Sequence, residues 1–224
     1  MTAYETLSVS REGPVAWLVF DRPQVGNAID AQMFLDLEAA WAELETDGNV
    51  RTIVSTGNGT AFQTGLDVAQ LARDKEALRR SSRQTRDAEL RMTAWHCGVT
   101  KPVIAAVNGV CAGGGLHFVA DADIVIAAEH ATFLDPHVSV GQVSAFETIG
   151  LAKKSPMEAI LRMALVGRHE RLSAERARTL GILSEVVPAD RLRPRAQELG
   201  EAIARHDPVH LAAIKTTLWG ALER

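Results

Sequence analysis

The sequence contains only two cysteines, Cys97 and Cys111, in 224 residues. That is too few for a disulfide framework, so both read as buried thiols of a reducing compartment. No apolar run approaches the ~20 residues of a membrane-spanning helix, so no membrane partner is expected. The first residues, Met1-Thr-Ala-Tyr-Glu-Thr6, lack the basic-then-apolar pattern of a secretory signal, and a cytoplasmic protein is the expectation. Charge of one sign is lacking as well. A net charge of −4 leaves no bulk attraction for nucleic acid or an anionic membrane. There is no internal repeat, low-complexity tract or dividing linker, and the length suits one domain or one domain with a small appendage.

What the chain does have is a 46% hydrophobic content, enough for a sizeable core. Val15–Phe20 is a short apolar run that predicts a strand, ended by Asp21-Arg-Pro23. Asp30 suits the N-cap of a helix whose Met33, Phe34, Leu37, Trp41 and Leu44 share one face. Val50–Ser55, Val103–Val107 and Ile124–Ala128 predict three more strands. Continuous apolar strands separated by helices point to an α/β fold with a sheet covered on both faces. Ser155-Pro-Met-Glu158 predicts a helix start, with Ser155 as N-cap and Glu158 completing a capping box; Gly167 ends that helix. Ser173 opens a short helix ended by Gly181, and Asp190 and Asp207-Pro208 open the last two.

The chemistry is concentrated in two segments. Lys101–His117 reads as a buried strand, a tight Asn108-Gly109 turn, then Gly113-Gly114-Gly115 opening a helix. Glycines let backbone approach a ligand, and free N–H groups at a helix start attract developing negative charge. No Lys-Ser/Thr follows, so this is not a phosphate-binding loop, and the dinucleotide spacing is missing. A candidate oxyanion hole remains. The other segment, residues 61–71, places Gly65, Leu66 and Asp67 at a second loop–helix junction.

Taken together these segments resemble the two signatures of the crotonase (enoyl-CoA hydratase/isomerase) superfamily. The resemblance continues in order through Asp21-Arg-Pro…Asn27-Ala28, Asp121-Ala-Asp123-Ile, Ala131-Thr-Phe133…Pro136 and Gly167…Gly181-Ile-Leu-Ser-Glu-Val-Val187. It implies a spiral of ββα turns over residues 1–189, with two roughly perpendicular sheets, and a short helical part over 190–224. It implies acyl-CoA thioester chemistry, with coenzyme A entering as part of the substrate and no other cofactor or metal. The N–H groups of Leu66 and Gly114 become the oxyanion donors, and Ala61, Gln63, Gly65, Asp67, Val68 and Ala69 the substrate-binding segment. A homotrimer or dimer of trimers is implied too.

Two departures bear on function. Hydratases of the family use two glutamates, where this chain has His117 and His137. An imidazole takes and gives protons near neutrality, so the pair suits acid–base catalysis, whereas ordinary hydration of a 2-enoyl-CoA is not expected. Double-bond isomerisation and hydrolytic C–C cleavage of a β-dicarbonyl substrate stay open, as does an acyl-CoA binder without catalysis. Glu147, or Asp135, offers a carboxylate to an imidazole, against the alternative of Glu147 as a surface side chain capping the following helix. His117 and His137 with either carboxylate are also the residues a metal would use, although no close-spaced ligand pair supports one. His96, His130, His169, His206 and His210 read as structural. The second departure is at the end: the sequence stops at Arg224, short of the residues that in relatives help cover the acyl site and complete a neighbouring subunit's CoA site, so the tightness of CoA binding stays open. The basic stretch 72–93 reads as a solvated helix, or as a phosphate-holding wall of the ligand channel.

Overall fold

A computed structural model describes residues 2–74, 76 and 91–222. Most of the basic stretch, including Lys75, Arg79, Arg80, Arg83 and Arg86, lies outside the described residues.

Two sheets organise the described chain. The larger runs in the order β1 (Leu7–Glu12), β2 (Val15–Phe20), β3 (Thr52–Gly57), β5 (Val103–Val107), β7 (Ile124–Ala128), β10 (Glu185–Val187). The β1–β2 pair is antiparallel and the others are parallel. The smaller sheet runs β4 (Ala61–Gln63), β6 (Val110–Ala112), β8 (Thr132–Leu134), β9 (Leu172–Ser173), with only the last pair antiparallel. Each strand of the large sheet from β3 to β7 is followed directly by one of the small sheet. Helix α2 (Val68–Arg73) closes the first such turn and α3 (Leu116–Ala120) the second. This is the expected ββα spiral, repeated in structure without any repeat in sequence.

The large sheet is buried on both faces, which explains its unbroken apolar strands. Ala16, Leu18 and Phe20 of β2 join Val103, Ala105 and Val107 of β5 in one cluster, under Met33, Leu37, Trp41 and Leu44 of α1 (Ala31–Thr46). Val15, Trp17, Ile104 and Ala106 join Ile126, Leu192 and Ala196 in a second cluster on the other face. A late helix, Leu192–Ala204, supplies those last two residues. It comes so close that a Cβ on Gly200 would meet the Val15 side chain at 2.8 Å.

Asp30 caps α1 as expected, its Oδ1 accepting from the Met33 N–H at 2.8 Å. Ser173 likewise accepts from Arg176 N–H, and Asp207 from Val209 N–H. The capping box at Ser155 does not form. Pro156 is extended, the helix begins at Met157, and the Ser155 hydroxyl donates backwards to the Leu151 carbonyl at 2.9 Å. Pro156 thus takes the N-cap position itself and leaves Ser155 one residue outside the helix. Asp190 sits inside a 3₁₀ turn, Ala189–Arg191, rather than capping the helix that follows it. The second strand begins two residues later than Val50, because Val50 N–H closes a turn onto Asp47. Cys111 is buried and Cys97 half-buried, both as free thiols. No helix of the described residues is long and apolar enough to cross a membrane.

Candidate active site

Gly65 and Gly114 bring the two chemistry-bearing segments together. Gly65, at φ +92°, stands where a Cβ would lie 2.9 Å from the Gly114 nitrogen. Gly115 lies against the Gln63 carbonyl with no room for a side chain. Two loop–helix junctions from successive spiral turns therefore touch backbone to backbone. Neither Leu66 N–H nor Gly114 N–H donates to another group among the described residues, while the neighbouring amides of Gly65 and Asp67 are both engaged. Leu66 is exposed and Gly114 half-buried, so the free amides belong to residues that solvent reaches.

The side chains flanking Leu66 serve the loop itself. Gln63 accepts from Gly65 N–H at 2.6 Å and donates to the Asn27 carbonyl at 3.0 Å. Asp67 caps α2 through Ala69 and Gln70 N–H and pairs with Arg22 at 3.1 Å. Burial would raise the Asp67 carboxyl, but these donors and the Arg22 charge hold it below its usual value. Ala61 is buried within β4, whereas Val68 and Ala69 are exposed at the start of α2. Asn27, in the left-handed region at φ +59°, donates to the Ala61 and Phe62 carbonyls and so fixes the entry to this segment.

The second cluster is carried by three elements. His117 is buried on α3, two residues after the glycine run. His137 opens a 3₁₀ turn, His137–Val140, that Gly141 closes in the left-handed region. Glu147 lies in the first turn of α4 (Phe146–Ala152) and is only 4% exposed, so it is not the surface cap that its position also allowed. Its carboxylate bridges both imidazoles: Oε2 lies 3.2 Å from His117 Nε2 and Oε1 lies 3.2 Å from His137 Nδ1. The fully buried Asp135 approaches the same His137 nitrogen at 2.5 Å and also accepts from the His137 backbone N–H. Ser144 donates to Glu147 Oε1 at 2.9 Å. The His137 ring also reaches the first site, since a Cβ on Gly113 would lie 3.8 Å from His137 Cε1.

Electrostatics follow from these contacts. Burial alone would raise the Glu147 carboxyl, but the His117 imidazole, a backbone N–H and the His137 charge hold it at about 2. The Asp135 hydrogen bond raises His137 above 6.5, against the effect of burial and with help from the Glu147 charge. Asp135 is held low, against burial, chiefly by its hydrogen bonds from the His137 ring and backbone N–H. Both carboxylates thus favour the protonated form of the His137 ring that lies between them.

Asp135, His137 and Glu147 each offer one ligand atom, all within 4.8 Å of one another. Ligand atoms of a tetrahedral zinc site sit about 3.4 Å apart. The 2.5 Å between His137 Nδ1 and Asp135 Oδ1 is closer than that and is the spacing of a hydrogen bond. Of the other histidines, His96 is held by Thr93, whereas His130, His169, His206 and His210 stand on the surface.

Comparison with known proteins agrees with this architecture. The model of the enoyl-CoA hydratase/isomerase family matches residues 10–224. The chain belongs to that family. Among its relatives, (E)-benzylidenesuccinyl-CoA hydratase of Thauera aromatica is 33% identical, over 94% of this chain and 80% of that protein. Carnitinyl-CoA dehydratase of Salmonella agona is 32% identical, over 94% and 79%. The crystal structure of an enoyl-CoA hydratase/isomerase from Mycobacterium paratuberculosis superposes with a TM-score of 0.91 at 36% identity, covering 99% of this chain and 85% of that one. As a member of the enoyl-CoA hydratase/isomerase family the chain has the crotonase fold, and the family acts on acyl-CoA thioesters.

Sequence reading missed Ser144 and ranked Asp135 as a mere alternative. The spacing Asp135-Pro-His137 carried the signal: a carboxylate two residues before a histidine reaches both its backbone N–H and its ring.

Proposed function

We propose that this enoyl-CoA hydratase/isomerase-family protein isomerises the double bond of an enoyl-CoA thioester. The thioester oxygen accepts from Leu66 and Gly114 N–H, which stabilises the dienolate formed when a proton leaves C2. Two such donors are worth roughly 3–4 kcal/mol each at the transition state. His137, oriented by Asp135, takes the proton from C2 and returns one to C4. Glu147 keeps both imidazoles in register and balances the positive charge on His137. The observation that supports this most is the single carboxylate between two imidazoles, beside a pair of unengaged amides. Environments that drive neighbouring pKa values apart mark acid and base roles.

Hydration, as in the names of the relatives, needs two groups holding one water. Here Glu147, the carboxylate shared by both imidazoles, is taken up by them and by the Ser144 hydroxyl. Hydrolytic C–C cleavage is a second reading, favoured by the His137–Asp135 pair, which is a workable base for activating water. A three-copy assembly belongs to the same reading, supported by the exposed apolar Val140, Val143, Phe146 and Ile149 around the site.

Mass spectrometry of 2-enoyl-, 3-enoyl- and β-oxoacyl-CoA thioesters incubated in D₂O tests all of these. Interconversion of the enoyl isomers with deuterium at C2 or C4 is expected. A water adduct formed from the 2-enoyl ester at enzymatic rates, about 10 per second or more, overturns the isomerase assignment. Release of a shortened acyl-CoA from the β-oxo ester moves the assignment to C–C hydrolysis. Binding of every ester with no turnover leaves an acyl-CoA binder.

A further inference from the structure

The pair His117–Glu147 depends on how α3 and α4 lie against each other, and the seam between them is built from very small groups. One turn beyond His117 on α3 is Ala120; one turn beyond Glu147 on α4 is Gly150. A Cβ added to Gly150 would lie 2.9 Å from the Ala120 Cβ, so the helices meet there with no side chain to spare. The His117–Glu147 pair and this contact occupy the same two faces, since residues three apart on a helix are neighbours. Further along the seam, Lys154 reaches across from the end of α4. Its Nζ donates to the Val119 carbonyl at 3.1 Å and the Ala122 carbonyl at 2.6 Å, both at the C-terminal end of α3. Those carbonyls have no further turn of helix to donate to them. The ring of Trp219, from the C-terminal helix Pro208–Leu222, covers the ammonium at 5.3 Å, while Trp219 Nε1 donates to Asp123 at 2.7 Å. A partly buried lysine bonded to two carbonyls, and to no carboxylate among the described residues, is an unusual use of charge. Burial holds its amine down at about 8, against the pull of Asp121 and Asp123.

We propose that Gly150 and Lys154 are positioning residues: the side-chain-free contact at Ala120 and the lysine clamp on the end of α3 together set the separation of His117 and Glu147. The catalytic consequence rests on the proton-transfer reading given above; the geometric one does not.

The test reads geometry and catalysis separately. Carbon-13 NMR titration of the Glu147 carboxyl, assigned by its loss in Glu147→Gln, reports contact with His117. Steady-state kinetics on the enoyl ester reports turnover. Gly150→Ala and Lys154→Met should each raise the Glu147 midpoint from about 2 towards 4.5. Each should lower kcat by about 100-fold with KM little changed, as expected for a displacement of about 1 Å. The swap Ala120→Gly with Gly150→Ala moves the same methyl to the other helix and should restore both readouts. It also keeps the volume of the seam, so it carries the test if a single variant does not fold. An unchanged Glu147 midpoint in a folded Gly150→Ala or Lys154→Met protein, or a swap that stays shifted, overturns the proposal. A raised midpoint in a protein whose Glu147→Gln variant is fully active upholds the seam and overturns the catalytic reading instead.

Discussion

Glu147 Oε2 lies 3.2 Å from His117 Nε2, although the two residues are separated by thirty positions of sequence and belong to different helices. Its other oxygen lies at the same distance from His137 Nδ1. One carboxylate thus holds two imidazoles in fixed relation to the glycine run.

His137→Ala is expected to lower kcat by 10²- to 10⁴-fold, roughly the range for loss of a general acid–base group, with acyl-CoA affinity changed by less than about threefold. Isothermal titration with a non-reactive acyl-CoA and stopped-flow turnover measure the two separately. Wild-type turnover in this variant would remove His137 from the mechanism.

The pH profile has a definite sign. His137 is raised above 6.5, so it becomes a base only as pH rises through that raised value. kcat/KM should therefore climb through an apparent pKa above 6.5. Asp135→Asn removes the largest cause of the shift and should move that limb downwards, with a rate loss of about 10- to 100-fold.

Substitutions at His117 and Glu147 should not add. Groups that act as a unit lose most of their effect with the first change. His117→Ala combined with Glu147→Gln should cost scarcely more than either alone, and a double-mutant cycle on kcat measures the coupling. Full additivity would mean that the 3.2 Å contact has no part in turnover.

Gly65→Ala tests the two amides. Position 65 is in the left-handed region and the new methyl would press on the Gly114 nitrogen, so the loops must separate. Turnover should fall by about 100-fold or more. Affinity for an enolate-like inhibitor should fall further than affinity for the ground-state thioester.

Acid stability should depend on Glu147. Its carboxyl is lowered from 4.5 to about 2 in the folded chain, so the unfolded chain binds more protons in that interval. Stability contributed by Glu147 is present above pH 4.5 and is lost as pH falls towards about 2. Urea melts across that window should show a shallower loss for Glu147→Gln than for the unsubstituted chain.

The local elements were legible in the sequence because short-range chemistry fixes them. Val15–Phe20, Val103–Val107 and Ile124–Ala128 are strands because their apolar runs have two faces to bury, and Asp30 begins a helix because its carboxylate satisfies a free N–H. The glycine run and the paired histidines were legible too, through family resemblance and residue type. Short strands such as β4, β6 and β9 were not, because two or three residues carry no period to read. The Ser155 capping box failed because Pro156, with ψ 130°, is the N-cap and leaves Ser155 one residue outside the helix.

What tertiary structure alone decided is which groups meet. Nothing in the order of residues states that Gly65 stands against Gly114, or that the helix carrying Glu147 packs on the one carrying His117 tightly enough to exclude a methyl at Gly150. Sequence placed a carboxylate in a loop of uncertain burial. The packing of α3 on α4 removed it from water, and only there do two imidazoles and a hydroxyl become its nearest partners and set its charge.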